Sequence, residues 1–290
     1  MKLLKFTIKI ISYFLQALLI YLFFLIGSIL RLRLSRIFFS NLFKNVGPVF
    51  KSKTIMTKNL KYFSKNISNQ DSKKIIENMW ENYGKTFIEY IFLRKFRNNN
   101  DHIELVGLEN LDNIIKRGKP VIFVSGHFAN FELMSMEITK RNIKLATIYR
   151  PLNNFFLNPF MEYLRKKYIC KHQIKKGIKG VREAIEFIKK NYSIALMIDQ
   201  RVSEGERIDF FNQPALTTTL PAQLAIKFNL SIIPVFIERD KNNFIIKFND
   251  EIRPSDFKDK IDLTKKLNNE IEKMILKNPN EWIWSHNRWK

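Results

Sequence analysis

The sequence predicts an α/β fold: a mostly parallel central sheet covered by helices, preceded by an N-terminal membrane helix. Three observations point there. From about His102 onward, short apolar runs alternate with amphipathic stretches, the pattern of strands joined by crossover helices and covered on both faces. Residues 10–30, "IISYFLQALLIYLFFLIGSIL", carry no charge and have roughly the 20-residue length that crosses a bilayer as a helix. The 290 residues suffice for one large core, and no repeat or long linker follows residue 100.

Each element has its own warrant. Lys2, Lys5 and Lys9 precede the apolar run, and Arg31, Arg33 and Arg36 follow it. Basic residues on both sides leave orientation undecided. The run exceeds the ~7–15 apolar residues of a signal peptide, and no small-residue cleavage site follows. It either spans or lies at the interface with its Tyr, Phe and Arg residues among the headgroups. Residues 51–74 are polar, with lysine and asparagine dominating, and "SNQDSKK" (68–74) reads as a loop leading into a helix. In "KKIIENMWENYGKTFIEYIFLRKF", Ile75, Ile76, Met79, Tyr83, Phe87, Tyr90 and Ile91 recur at helical spacing, with an interruption expected near Gly84. Then "HIELVG" reads as a strand, "ENLDNIIKRG" as a short helix and "PVIFVSG" as a buried strand. A helix over about residues 130–140 precedes the strand "IKLATIY" and the helix "NNFFLNPFMEYLRKKY". "GVREAIEFIKKN" places Val181, Ala184, Ile185 and Ile188 on one helical face, and "SIALMIDQ" follows as an apolar run. "LPAQLAIKFN", the strands "SIIPVFIE" and "NFIIKF", and a helix over about residues 262–277 complete the chain.

The formal net charge is +23. Such an excess suits nucleic acid, an anionic membrane, a phosphorylated substrate or an acidic protein. Lys, Asn and Ile abound throughout, so compositional bias accounts for part of it equally well. Cys170, the single cysteine, excludes an internal disulfide framework and a cysteine-based zinc site.

Sites in such sheets gather beyond the carboxyl ends of the strands. His127 follows "VIFVSG", Asp199 follows "IALMI", and Glu132 sits in the first turn of the next helix. On one helix, positions five apart diverge by about 140°, so His127 must lie on the turn before the helix if Glu132 is to reach its ring. One ring nitrogen would then bond the carboxylate, leaving the other as a base. A lone histidine at a strand end is more often structural than catalytic. A zinc site would need a third ligand, and the spacing is not that of the helical His-Glu-x-x-His motif. No Gly-x-Ser-x-Gly elbow is present.

The segment "GHFANFE" resembles the His-x4-Asp/Glu motif of lipid acyltransferases, in the form of the bacterial lipid A biosynthesis lauroyl/myristoyl acyltransferases. "YRPLNN" (149–154), "MIDQ" (197–200), "FFNQPALTTTLPAQLA" (210–225) and "NPNEWIWSHNRWK" (278–290) follow in that family's order. The stretch "RVSEGERIDFFNQPA" departs from the pattern, being leaner in glycine. The resemblance implies a glycerol-3-phosphate acyltransferase-like fold, and transfer of a fatty acyl group from acyl carrier protein to a hydroxyl of a lipid A precursor of the Kdo-lipid IVA type. It implies His127 as general base with Glu132 setting its tautomer. Arg150, Arg165 and Asp199 become substrate-site residues, Arg150 by gripping an acceptor phosphate and Asp199 in a supporting role. Backbone amides near Gly126 and His127, or Arg150, are the oxyanion donors to test. Neither metal nor cofactor is expected, and Cys170 is structural. Trp284, His286 and Arg288 match the closing block, with packing at least as good an account of them.

The expected division is a membrane anchor over residues 1–35, a helical membrane-proximal region over 36–100, and the catalytic α/β domain over 101–290, facing the cytoplasm at the bacterial inner membrane. In that division the first helix anchors and supplies no part of the site. The expected partners are acyl carrier protein, an anionic glycolipid and the membrane. A lysophospholipid or another lipid hydroxyl is the alternative acceptor. A basic nucleic-acid-binding protein is the remote alternative, because no binding module is recognisable and clusters such as "LRKFR" fall on separate elements.

Overall fold

The computed structural model describes residues 2–290; the side chains of Lys2 and Lys5 lie outside what it describes. Helices α1 (Lys2–Phe50), α2 (Lys53–Phe63), α3 (Asn69–Glu89) and α4 (Leu93–Asn98) come first. An alternation follows: β1 (Ile103–Val106), α5 (Leu108–Arg117), β2 (Ile122–Ser125), α6 (Glu132–Lys140), β3 (Leu145–Tyr149), α7 (Asn158–Leu164), β4 (His172–Lys175), α8 (Ile178–Lys189) and β5 (Ser193–Met197). A hairpin, β6 (Glu206–Phe210) and β7 (Gln213–Thr217), leads to α9 (Leu220–Phe228), β8 (Ile232–Asp240), β9 (Asn243–Phe248) and α10 (Lys260–Lys277). Among the described residues, seven strands form one sheet in the order β1-β9-β8-β2-β5-β3-β4. Every neighbouring pair is parallel except β8 and β9.

The strand period of two divides the core. Ile122 and Val124 of β2, with Ile194 and Leu196 of β5, face a layer built from α8, α9, α10 and the C-terminal tryptophans. Phe123 and Ala195 face the other way, toward α1, α4, α6 and α7. Because both faces are covered, the central strands read as unbroken apolar runs. Burying a side chain such as Phe123, fully inaccessible, contributes about 1.5–3 kcal/mol.

The N-terminal region departs most from expectation. α1 breaks at Arg31, whose φ of 61° and ψ of 170° are not helical. The chain folds back there. Phe23 and Phe39 have ring centroids 5.5 Å apart, and Ser35 Oγ donates to Gly27 O at 2.7 Å. On a straight helix, residues sixteen apart would be separated by about 24 Å. The first arm also runs along the α/β body: Tyr21 Oη donates to Phe156 O at 3.0 Å and Asn154 Nδ2 to Tyr13 O at 2.7 Å. Its other side leaves Phe6, Ile8, Ile11, Leu15, Leu18 and Leu22 exposed.

The segment "SNQDSKK", expected as a loop, is helical from Asn69, with Ser68 capping α3, and the polar stretch before it holds α2. Ser52 caps α2, where Met56 and Leu60, one turn apart, are fully buried. Lysine and asparagine around them mask a one-sided apolar stripe. α3 runs through Gly84 without a break. The glycine instead permits close approach, since a Cβ there would lie 2.1 Å from Phe39 O on the second arm of α1. Gly84→Ala is therefore expected to destabilise the protein by about 1–3 kcal/mol through overpacking, measured as a lowered unfolding temperature in detergent.

Three strands, β4, β6 and β7, were not expected from the sequence. β4 is a four-residue edge strand with Lys175 at its end and Lys171 and Lys176 on either side of it, and charges at such an edge discourage further pairing. The β6–β7 hairpin turns at Phe211 and Asn212, both at positive φ, as two-residue hairpin turns require. Asparagine tolerates that conformation without glycine, and the Phe211 ring is held against Phe63 and Phe210.

Candidate active site

Parallel pairing of β2 with β5 sets Ser125 opposite Met197. Two residues further along each chain, His127 and Asp199 are therefore level, just past the sheet edge. The Asp199 carboxylate is 2 % exposed and accepts three hydrogen bonds. His127 Nδ1 lies 2.7 Å from Oδ1, while the His127 backbone N–H and Trp282 Nε1 each donate to Oδ2 at 2.9 Å. Burial opposes ionisation of this carboxyl. The His127 ring, its amide and the Trp282 indole overcome that opposition and hold the pKa at about 2. An ionised carboxylate only accepts, so Nδ1 carries the proton and Nε2 of the neutral ring is left bare. The His127 side chain is 20 % exposed, with its ring edge-on to Phe131 at 4.6 Å.

Glu132 does not hold His127. Its Oε1 accepts from Arg165 Nε at 2.8 Å and from the Tyr90 hydroxyl, and Arg165 Nη2 also donates to Tyr90 at 3.0 Å. The expected His127–Glu132 contact is thus corrected: Asp199 takes the ring nitrogen. At the start of α6, Glu132 points to α7 and to the helical region before the α/β body. Burial acts against the Arg165 charge, yet Glu132 and Tyr90 more than restore it and raise its pKa. Arg165 Nη1 is buried with no protein partner.

His127 and Arg165 share the wall of one cavity of about 350 Å³. Ile20 and Phe24 of α1, Tyr83 and Phe87 of α3, and Leu157 and Met161 near α7 give it a largely apolar lining. The first helix thus lines the same cavity as His127, which the expected role as an anchor did not include. The cavity draws its lining from all three of the expected regions. Glu281 lines the same cavity, and burial pushes its carboxyl up to about 7 against the pull of Arg239.

Arg150 stands apart. It is exposed at the end of β3 and is absent from the cavity wall, although Leu152, two residues on, belongs to it. The His127 amide cannot serve an oxyanion while it donates to Asp199. Cys170 is buried, and burial raises its thiol pKa. Trp284 and Arg288 are fully buried and pack the C-terminal layer. Burial lowers the His286 pKa to about 4. Trp282, which completes the Asp199 shell, had no signal in the sequence beyond its place in the closing block. Nor did Tyr90, whose partner Glu132 lies 42 residues away.

A search of the curated proteins gives no match. Among solved structures, the 1-acyl-sn-glycerophosphate (LPA) acyltransferase PlsC from Thermotoga maritima is similar at 14% identity and a TM-score of 0.43, covering 93% of this chain and 99% of that one. The model of a family described as bacterial lipid A biosynthesis acyltransferase matches residues 5–290. The match takes in nearly every element described above, and the chain is an acyltransferase belonging to that family.

Proposed function

We propose that this chain transfers a fatty acyl group from acyl carrier protein to a hydroxyl of a lipid A precursor of the Kdo-lipid IVA type, with His127 as general base. The observation that carries this reading is the pairing of His127 Nδ1 with the buried Asp199 carboxylate at 2.7 Å, beside an apolar cavity. An alcohol is a poor nucleophile near neutral pH. As its oxygen attacks the thioester carbonyl, Nε2 takes its proton. The tetrahedral adduct then expels the carrier thiolate, which recovers that proton from the imidazolium. Asp199 fixes the tautomer and stabilises the imidazolium. Glu132 acts one step removed, by holding Arg165 in the cavity wall.

The unpartnered Nη1 of Arg165 supplies a positive donor to the acceptor or to the developing oxyanion. Arg150 lies at the rim, where its planar fork suits an acceptor phosphate. The net charge of +23 suits both an acidic carrier protein and an anionic glycolipid. The apolar exposed side of α1 lies in the cytoplasmic interface of the bacterial inner membrane rather than across it. Tyr13 and Tyr21 are tied to Asn154 and Phe156, in the irregular segment before α7, through the Asn154 side chain and the Phe156 carbonyl. A spanning first arm would carry that backbone toward the hydrocarbon, where its polar groups go unsatisfied.

Purified protein given acyl-acyl carrier protein is expected to form an acylated product, read by mass spectrometry, only when the phosphorylated disaccharide lipid is present. Equal or faster turnover on a lysophospholipid would overturn the acceptor assignment. Activity with acyl-coenzyme A alone would overturn the donor.

A further inference from the structure

The loop carrying His127 is gripped from two sides. Asp199 and Trp282 hold the sheet side. On the other side lies a fully buried carboxylate that the acyl-transfer chemistry does not use. Glu89, at the end of α3, is 0 % exposed. Its Oε1 accepts from Arg36 Nε and Arg239 Nη1, each at 2.6 Å; its Oε2 accepts from Arg239 Nη2 at 3.2 Å and from Asn130 Nδ2 at 2.9 Å. Burial opposes its charge, and the two guanidiniums overcome that and lower its pKa. One turn earlier on α3, the Thr86 hydroxyl donates to Ala129 O at 2.9 Å and accepts from Arg239 Nη2 at 3.2 Å. The arginine occupies the hydroxyl's acceptor side, so the single Thr86 proton is directed at the Ala129 carbonyl.

What those bonds hold is an unfavourable conformation. Ala129 has φ of 42°, a left-handed backbone that an L-residue other than Gly, Asn or Asp seldom adopts. Such residues persist only where their surroundings over-determine them. Phe128 is fully buried and cannot swing to relieve it. The turn at residues 128–130 decides which way the preceding residue faces.

Resting on the reading of His127 as base, we propose that Thr86 and Glu89 are positioning residues for the reaction. They lock the 127–130 loop in the left-handed turn that presents the His127 ring to the cavity. Three separate parts of the chain meet at this clamp: Arg36 from the second arm of α1, Thr86 and Glu89 from α3, and Arg239 from β8. The helical region before residue 100 thus shapes the reacting centre as well as the cavity wall.

The test uses the full-length enzyme in detergent. Thr86→Val keeps the side-chain shape and removes the donor. It is expected to lower kcat about tenfold, the effect of roughly one net hydrogen bond, with KM for both substrates within about twofold and the unfolding temperature little changed. Adding Ala129→Gly should return kcat to within about threefold of wild type, because glycine adopts positive φ without strain. Asn130→Ala, which releases the loop while leaving Glu89 with both arginines, should reproduce the kcat loss if the valine variant folds poorly. The downfield proton resonance of His127 Nδ1–H should broaden or move in both single variants, a readout independent of turnover. Wild-type kcat in both variants, or a loss that tracks folded fraction and is not recovered by glycine, overturns the clamp. Normal turnover in His127→Ala alongside a shifted resonance in Thr86→Val would instead overturn the base assignment and leave the clamp standing.

Discussion

His127→Ala is expected to lower kcat by a factor of about 10²–10⁴, the usual contribution of a positioned general base. The substitution leaves a small void beside Phe131 and removes no core contact, because the ring is partly exposed at the cavity. Stability should therefore change little. Asp199 loses one of its three donors but keeps the amide of residue 127 and Trp282, so the carboxylate stays compensated. Acyl transfer measured with saturating donor and acceptor, on protein whose fold is checked by thermal unfolding, reads the effect directly. Near-wild-type turnover would remove the histidine from the chemistry.

Asp199→Asn is expected to be comparably severe, at about 10²–10⁴ in kcat, although the side chain is almost isosteric. The carboxylate accepts three donors, and an amide presents one acceptor oxygen and one NH₂ group. If the oxygen faces His127 Nδ1, the NH₂ confronts the His127 amide and the Trp282 indole, leaving donor against donor in a buried site. If the amide rotates, its NH₂ donates to Nδ1 and forces the proton onto Nε2, abolishing the base. Glu132→Gln provides the contrast. It breaks a buried pair with Arg165, for which the cost is about 3–5 kcal/mol. Lower stability and weaker acceptor binding should follow, with the His127 tautomer intact. The pH dependence carries a sign as well. The Asp199 pKa is held at about 2, below the ordinary aspartate value of about 3.9. The stability it contributes is full above the unfolded value and is lost as pH falls toward about 2. Any loss of activity between pH 5 and 7 therefore arises elsewhere than Asp199.

Much of the fold was legible because a doubly covered parallel sheet imposes local patterns. "VIFVS" and "SIALM" are continuous apolar runs, and "GVREAIEFIKKN" keeps one apolar face. Both runs end two residues before a polar group, His127 in one case and Asp199 in the other. That shared offset is the sequence signal of their pairing. It was obscured because Glu132 is the nearer carboxylate in sequence, and chain proximity is not spatial proximity at a strand-turn-helix junction. The fold-back at Arg31 was hidden for another reason. A long apolar helix and a broken one have the same composition, and it takes three-dimensional contacts, such as those of Phe23 with Phe39 and of Ser35 with Gly27, to reveal the second arm. The buried Met56 and Leu60 were masked by lysine-rich neighbours. The Trp282–Asp199 bond joins residues 83 apart, a link that no local pattern encodes.

The most direct test of the central claim is the protonation pattern of the His127 ring, read by ¹⁵N NMR of selectively labelled protein at neutral pH. A neutral ring protonated on Nδ1 with Nε2 bare, preserved in Glu132→Gln and lost in Asp199→Asn, is the predicted result. A tautomer that survives Asp199→Asn but collapses in Glu132→Gln would contradict the account and return the orienting role to Glu132.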